Sequence, residues 1–105
     1  MSDSRAQIIV EGSARVSEAD REAYLALVRE VVQASAARAG CLKFSVAEDI
    51  LERNLFHLTE LWADLAALDA SRFGHANSEV LQRFAPLDVR DRNVLIFAVS
   101  GATEG

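Results

Sequence analysis

A chain of 105 residues, 50% apolar and 26% charged, has room for one hydrophobic core and too little for two. That balance excludes a disordered polymer, and a formal charge of −5 excludes general nucleic-acid binding, which needs a basic surface against phosphates. Cys41 is the one cysteine, so no intramolecular disulfide exists and a reducing compartment is the natural setting.

The opening MSDSRAQIIV has no apolar core of signal-peptide length, and no later run approaches transmembrane length. The expected location is therefore the cytoplasm, with no membrane and no nucleic acid among the partners. No linker divides the sequence, so one domain is expected over 1–105, with its core at about 7–100. Arg83, Arg90 and Arg92 form a short local cluster and read as ordinary surface charge.

In chain order, QIIVEGSARV alternates as a strand, with Ile8, Val10, Gly12, Ala14 and Val16 on one side. Ser17 then caps a helix start, with Asp20 in the acidic position of a capping box. Tyr24, Leu27, Val28, Val31 and Ala34 recur at helical spacing, and Gly40 is placed to end that helix. CLKFSVAED puts Leu42, Phe44 and Val46 on one strand face and Cys41, Lys43, Ser45 and Ala47 on the other. The short link ILER joins it to NLFHLTELW as a hairpin. Asp64 caps a short helix, Gly74 breaks it, a second piece runs toward Pro86, and NVLIFAVS is the last strand. The order β-α-β-β-α-β predicts an α+β, ferredoxin-like fold: a four-stranded antiparallel sheet with helices on one face.

Two helices cover one face of such a sheet. The last strand is apolar on both, with Val94, Ile96 and Ala98 on one side and Leu95, Phe97 and Val99 on the other. Leu55 and Leu61 lie on the second face of the preceding strand, with His57 and Thr59 between them. Each buried Leu or Phe contributes about 1.5–3 kcal/mol, so the uncovered face predicts a two-fold homodimer packed sheet to sheet.

GCLKFSV, LFHLTELWADLAALDAS and the element order around them resemble the antibiotic biosynthesis monooxygenase family, over about Ile8 to Val99. The specific part is the Gly40-Cys41 pair and the E-x-W-x-D pattern at Glu60, Trp62 and Asp64. The resemblance implies a dimeric α+β barrel. It also implies oxygenation of electron-rich aromatics, such as quinols and phenols, without flavin, haem or metal. In many relatives a histidine follows the E-x-W strand. The matching position here is Ser71, with His75 four residues later, so either His75 takes that role or the site is altered. Haem-degrading relatives use an asparagine in the first strand, and QIIVEGSARV has none.

Glu60 raises its own question, because a carboxylate seldom shares a strand face with the chain's sole tryptophan. Glu60 and Trp62 lie about 7–14 Å beyond the apolar end of their face, at roughly 3.3 Å per residue, where the helices are expected to splay over a pocket. Two readings stand. Glu60 looks into a pocket mouth, or it ties down a helix N-terminus or an arginine such as Arg72. Trp62 is a core residue or the wall of a cavity.

His75 is the candidate base, against an exposed and idle histidine in a helix break. Phe44, Phe56 and Leu58 are candidate lining residues, and Tyr24 joins them from the long helix unless it is packed core. Ser71 and Asn77 are candidate hydrogen-bond donors to a substrate oxygen, or local caps. His57 faces the dimer partner as a hydrogen-bonded residue, Cys41 reads as packing, and no residue spacing supports a metal. Three readings of function follow. One is a cofactor-independent monooxygenase with His75, Glu60 and Trp62 as catalytic residues. Another is a non-catalytic dimeric protein that binds a small aromatic molecule. A pure assembly protein, its pocket filled by its own side chains, is the third.

Overall fold

The computed structural model describes residues 6–101 and 103, and at residues 75–77 the backbone alone. Strand β1 (Ile8–Val16) leads through a single 3-10 turn (Glu18–Asp20) into α1 (Arg21–Ala36). β2 (Cys41–Glu48) and β3 (Leu55–Trp62) form the hairpin, followed by α2 (Leu65–Arg72), α3 (His75–Phe84) and β4 (Val89–Ala98). The four strands stand in the order β2-β3-β1-β4, every neighbouring pair antiparallel. This is the α+β, ferredoxin-like arrangement that the element order predicts.

Register fixes which side chains share a face. Ile8, Val10, Gly12 and Ala14 of β1 stand opposite Trp62, Glu60, Leu58 and Phe56 of β3, so the expected apolar face of β1 is the helix face. The core is a cluster of Ile8, Val10, Trp62 and Leu68, with Cys41, Phe44 and Ala67 packed against it. Cys41 departs from the expected alternation. Cys41 pairs with Trp62 while Lys43 pairs with Leu61, so an extra residue, Leu42, intervenes. That irregularity turns Cys41 to the helix face, where strict alternation had put it opposite Phe44.

The helix ends show what local chemistry selects. Ser17 Oγ accepts from the Asp20 N–H, as the capping pattern predicts. Asp20 does not reach back; its carboxylate accepts the Asp88 N–H at 2.8 Å, while the Ser17 N–H goes to the Asp88 carbonyl. The box is replaced by a tie to the start of β4. α1 ends at Ala36, ahead of the expected Gly40. Gly40 instead sits at φ +79 where β2 begins, its carbonyl accepting from Ala63 and its missing Cβ leaving room for Ala67. Asp64 caps α2 through the Ala67 N–H at 2.8 Å.

Candidate functional site

β3 sets the site because its helix face carries Phe56, Leu58, Glu60 and Trp62 in one row. Trp62 is 0% exposed and Glu60 is 8% exposed. A buried indole needs an acceptor and a buried carboxylate needs a donor. Their spacing of two residues puts them on the same face, and Trp62 Nε1 donates to Glu60 Oε1 at 2.8 Å. The partner of Glu60 is thus the tryptophan; Arg72 and Arg38 act on it through their charge. Burial pushes the Glu60 carboxyl above the usual carboxylate range, and the indole bond and the two arginines offset part of that rise. Beside it the Cys41 thiol is also pushed up, by burial first and by the Glu60 charge second.

Arg38, just past α1, closes this end of the site. Its Nη1 donates to the Ser71 hydroxyl and, at 3.5 Å, to the Ser71 carbonyl. Ser71 therefore stands near the C-terminal end of α2, held by a cation.

The other end of the row is aromatic. Tyr24 packs on Phe56 with ring centroids 5.2 Å apart and on Phe84 at 5.7 Å. Burial raises the Tyr24 phenol, and the charge of Arg92 pulls it partly back. The expected residues thus fall into two groups: Glu60, Trp62, Phe44 and Ser71 at one end, Tyr24 and Phe56 at the other. Six residue-to-residue steps of strand separate Phe56 from Trp62, about 20 Å at 3.3 Å each, and half-buried Leu58 lies between. His75 and Asn77 fall within residues 75–77, whose side chains lie outside the described residues; the backbone makes His75 the first residue of α3. His57 is on the opposite face, its Nε2 2.9 Å from Asp49 Oδ1.

Two of the clefts among the described residues bear on the site. The larger, about 480 Å³, runs between α1 and the edge strand β2, over Leu25, Val28, Val32, Val46 and Phe56. The smaller, about 310 Å³, lies between Arg15 and Arg90. Neither is lined by Glu60 or Trp62. Among the described residues no group of His, Cys, Asp and Glu converges as a metal site, and no helix is long and apolar enough to cross a membrane.

The family model for antibiotic biosynthesis monooxygenases matches residues 7–86. The chain belongs to the antibiotic biosynthesis monooxygenase family. Its fold is also that of a candidate antibiotic biosynthesis monooxygenase from Deinococcus radiodurans, with a TM-score of 0.86 at 23% identity over 92% of this chain and 96% of that one. Rv0793 of Mycobacterium tuberculosis superposes with a TM-score of 0.82 at 19% identity, over 94% of this chain and all of the other. An uncharacterised Synechocystis protein, sll1783, is 36% identical over 62 residues, which is 59% of this chain and 42% of that relative's length. The identities of the solved structures carry the fold and no activity.

Sequence reasoning missed one residue of this family member. Arg83 pairs with Glu30 and Arg90 with Asp88, as surface charges do. Arg92 has no ion pair among the described residues, and it shares the helix face of β4 with Val94 and Ile96. The available signal was alternation along β4 continued back past Asn93, the residue at which the expected strand began.

Proposed function

We propose that this family member is a homodimeric, cofactor-independent monooxygenase acting on a small quinol-like or phenolic aromatic. Removal of a proton leaves an electron-rich anion that reduces dioxygen; one oxygen atom stays in the product and the other leaves as water with the substrate's two hydrogens. His75 is assigned as base, on the sequence ground of its place after the E-x-W strand. Glu60 and Trp62 form the polar and aromatic end of the site. Phe44, Phe56, Leu58 and Tyr24 supply apolar contact, and Ser71 and Asn77 the hydrogen bonds.

The observation that carries this reading is the buried Glu60–Trp62 pair, an ionisable group held in apolar surroundings on the face that the helices cover. Such an environment favours the neutral acid and strengthens any interaction with a developing anion nearby. Oxygen uptake with a panel of hydroquinones and anthrols tests it. Uptake should scale with protein, fall at least about tenfold in His75→Ala, as loss of a general base does, and fall in Trp62→Phe. A folded sample with no uptake on any compound refutes it.

A second reading, a non-catalytic dimeric protein that binds a small aromatic, is favoured by one contact. The Ser71 hydroxyl, at the position where relatives carry histidine, is engaged by Arg38 and offers no base. Under this reading an aromatic ligand raises the melting temperature without turnover.

A further inference from the structure

On the helix side of the sheet, the β4 part of the floor stays open. Val94 and Ile96 stand opposite Gly12 and Val10, yet they are 42% and 43% exposed. Gly12 keeps this floor flat: a Cβ there would come within 3.0 Å of the Asn93 carbonyl and 3.4 Å of Val94 Cγ2. Leu58 lies on its other side, opposite Gly12 in β3. A shallow apolar strip thus runs across three strands and is open to solvent over β4.

Arg92 stands at the end of that strip. Asn93 pairs with Ser13 on the opposite face, so Arg92 turns to the side of Val94. The chain is irregular here: Asp91 adopts φ 54 and sends its carboxylate to Arg15, and Arg90 is held by Asp88. Arg92 alone of its cluster is left without a carboxylate among the described residues, in a chain with 16 acids and 11 bases. The Tyr24 ring packs on Phe56 and Phe84, its phenol lies within reach of the Arg92 charge, and its hydroxyl makes no hydrogen bond among the described residues. A planar cation, an unengaged phenol and an apolar floor fit one kind of occupant.

We propose that Arg92 and the Tyr24 hydroxyl form an anion-binding subsite at the end of the Gly12–Leu58–Val94–Ile96 floor, for a flat aromatic bearing an oxyanion. Arginine presents paired N–H donors that match an oxyanion, and the bond strengthens where water is thinned by apolar neighbours. The dimer proposed above covers the opposite face, so it leaves this strip accessible. The inference deepens the reading of a small aromatic ligand by giving that ligand a charge and a direction, with its ring on the floor and its anionic group toward Arg92.

Calorimetric titration with 2-naphthoate and with 2-naphthamide, the same ring system without the charge, tests it. The wild-type chain should bind naphthoate at least about tenfold more tightly than the amide, the ratio expected of one charge-assisted contact. Arg92→Gln should bring that ratio near one, Arg92→Lys should keep part of it, and Tyr24→Phe should lower it by a smaller factor. Arg92 is exposed, so its two variants should melt with the wild type. Equal binding of the two probes, binding of neither, or a ratio unchanged in Arg92→Gln overturns the subsite. Oxygen uptake on the quinol panel separates it from the catalytic reading. Uptake without charge preference refutes the subsite alone, and charge preference without uptake refutes catalysis alone.

Discussion

Trp62 Nε1 donates to Glu60 Oε1 across 2.8 Å, and each residue supplies what burial of the other requires. The strand tolerates its carboxylate because the neighbouring indole brings a donor into the same apolar layer. The same pair has a pH signature. Burial raises the folded pKa of Glu60, so the native chain holds this proton more readily than the unfolded one. The contribution of Glu60 to stability is therefore fully present below its unfolded pKa and is lost as pH rises through its folded pKa. Glu60→Gln keeps an acceptor for the indole and removes the charge. Its stability relative to wild type should improve between about pH 4 and pH 8, measured as urea midpoints. An offset that is the same at both pH values would contradict the assignment.

Removing the donor should cost more. Trp62→Phe leaves the Glu60 carboxylate without its partner and opens space in the core cluster of Ile8, Val10 and Leu68, a loss of about 2–4 kcal/mol. In a Glu60→Gln background the loss should be smaller, since an amide is less costly to strand than a charge. Denaturant melts of the double-mutant cycle read the coupling directly, and strict additivity would show that the bond contributes nothing.

What the residues announced and what they concealed divide along physical lines. Periodicity reports faces, so Val10, Phe56 and Glu60 fell on the expected side and the element order was legible. It fails where the strand period breaks: the extra residue at Leu42 moved Cys41 across the sheet, and Asp91 in the left-handed region hid the register of Arg92. Partner choice is a property of three dimensions. Asp20 looked like a capping residue, and its carboxylate took the Asp88 N–H, which is distant in sequence and close in space. For the same reason Glu60 and Trp62 were legible as neighbours, while Arg38 at Ser71 and Arg92 near Tyr24 were not.

Gly40 gives a prediction that backbone and packing make together. Its φ of +79 disfavours any side chain, and a Cβ would lie 2.4 Å from the Cβ of Ala67. Gly40→Ala should therefore cost about 2–4 kcal/mol, combining left-handed strain with overpacking against α2. Ala67→Gly in the same chain relieves the clash and leaves the strain, so guanidine melts should show partial recovery. Full recovery would place all of the cost in packing.

Acid should act on the hairpin base. Arg53 and Asn54 hold the Glu18 carboxyl at about 2, and Arg21 and Asn54 hold Glu48 at about 2. Both pKa values are depressed, so the stability they supply is present above the ordinary carboxylate pKa and is lost as pH falls from there toward about 2. Glu48→Gln should flatten the acid limb of the stability profile, followed by thermal melts across that range. An unchanged limb would assign acid sensitivity to other carboxylates.

The open face of the sheet makes the last prediction. Ile9 stands opposite Leu61 on one side and Phe97 on the other, and Leu95 continues the patch opposite Glu11. Phe97 is 45% exposed and Leu95 54%, so this apolar surface is half in water in the single chain. In the proposed homodimer a two-fold partner buries it, and the axis brings equivalent positions near each other. Phe97→Glu sets two carboxylates against each other at the seam and should shift light scattering from twice 11.4 kDa to 11.4 kDa at micromolar concentration. Ile96→Glu, one residue away on the helix face, should leave the dimer intact while it weakens naphthoate binding by charge repulsion. A dimer that survives Phe97→Glu and falls apart with Ile96→Glu would put the interface on the other side of the sheet, over the strip assigned here to the ligand.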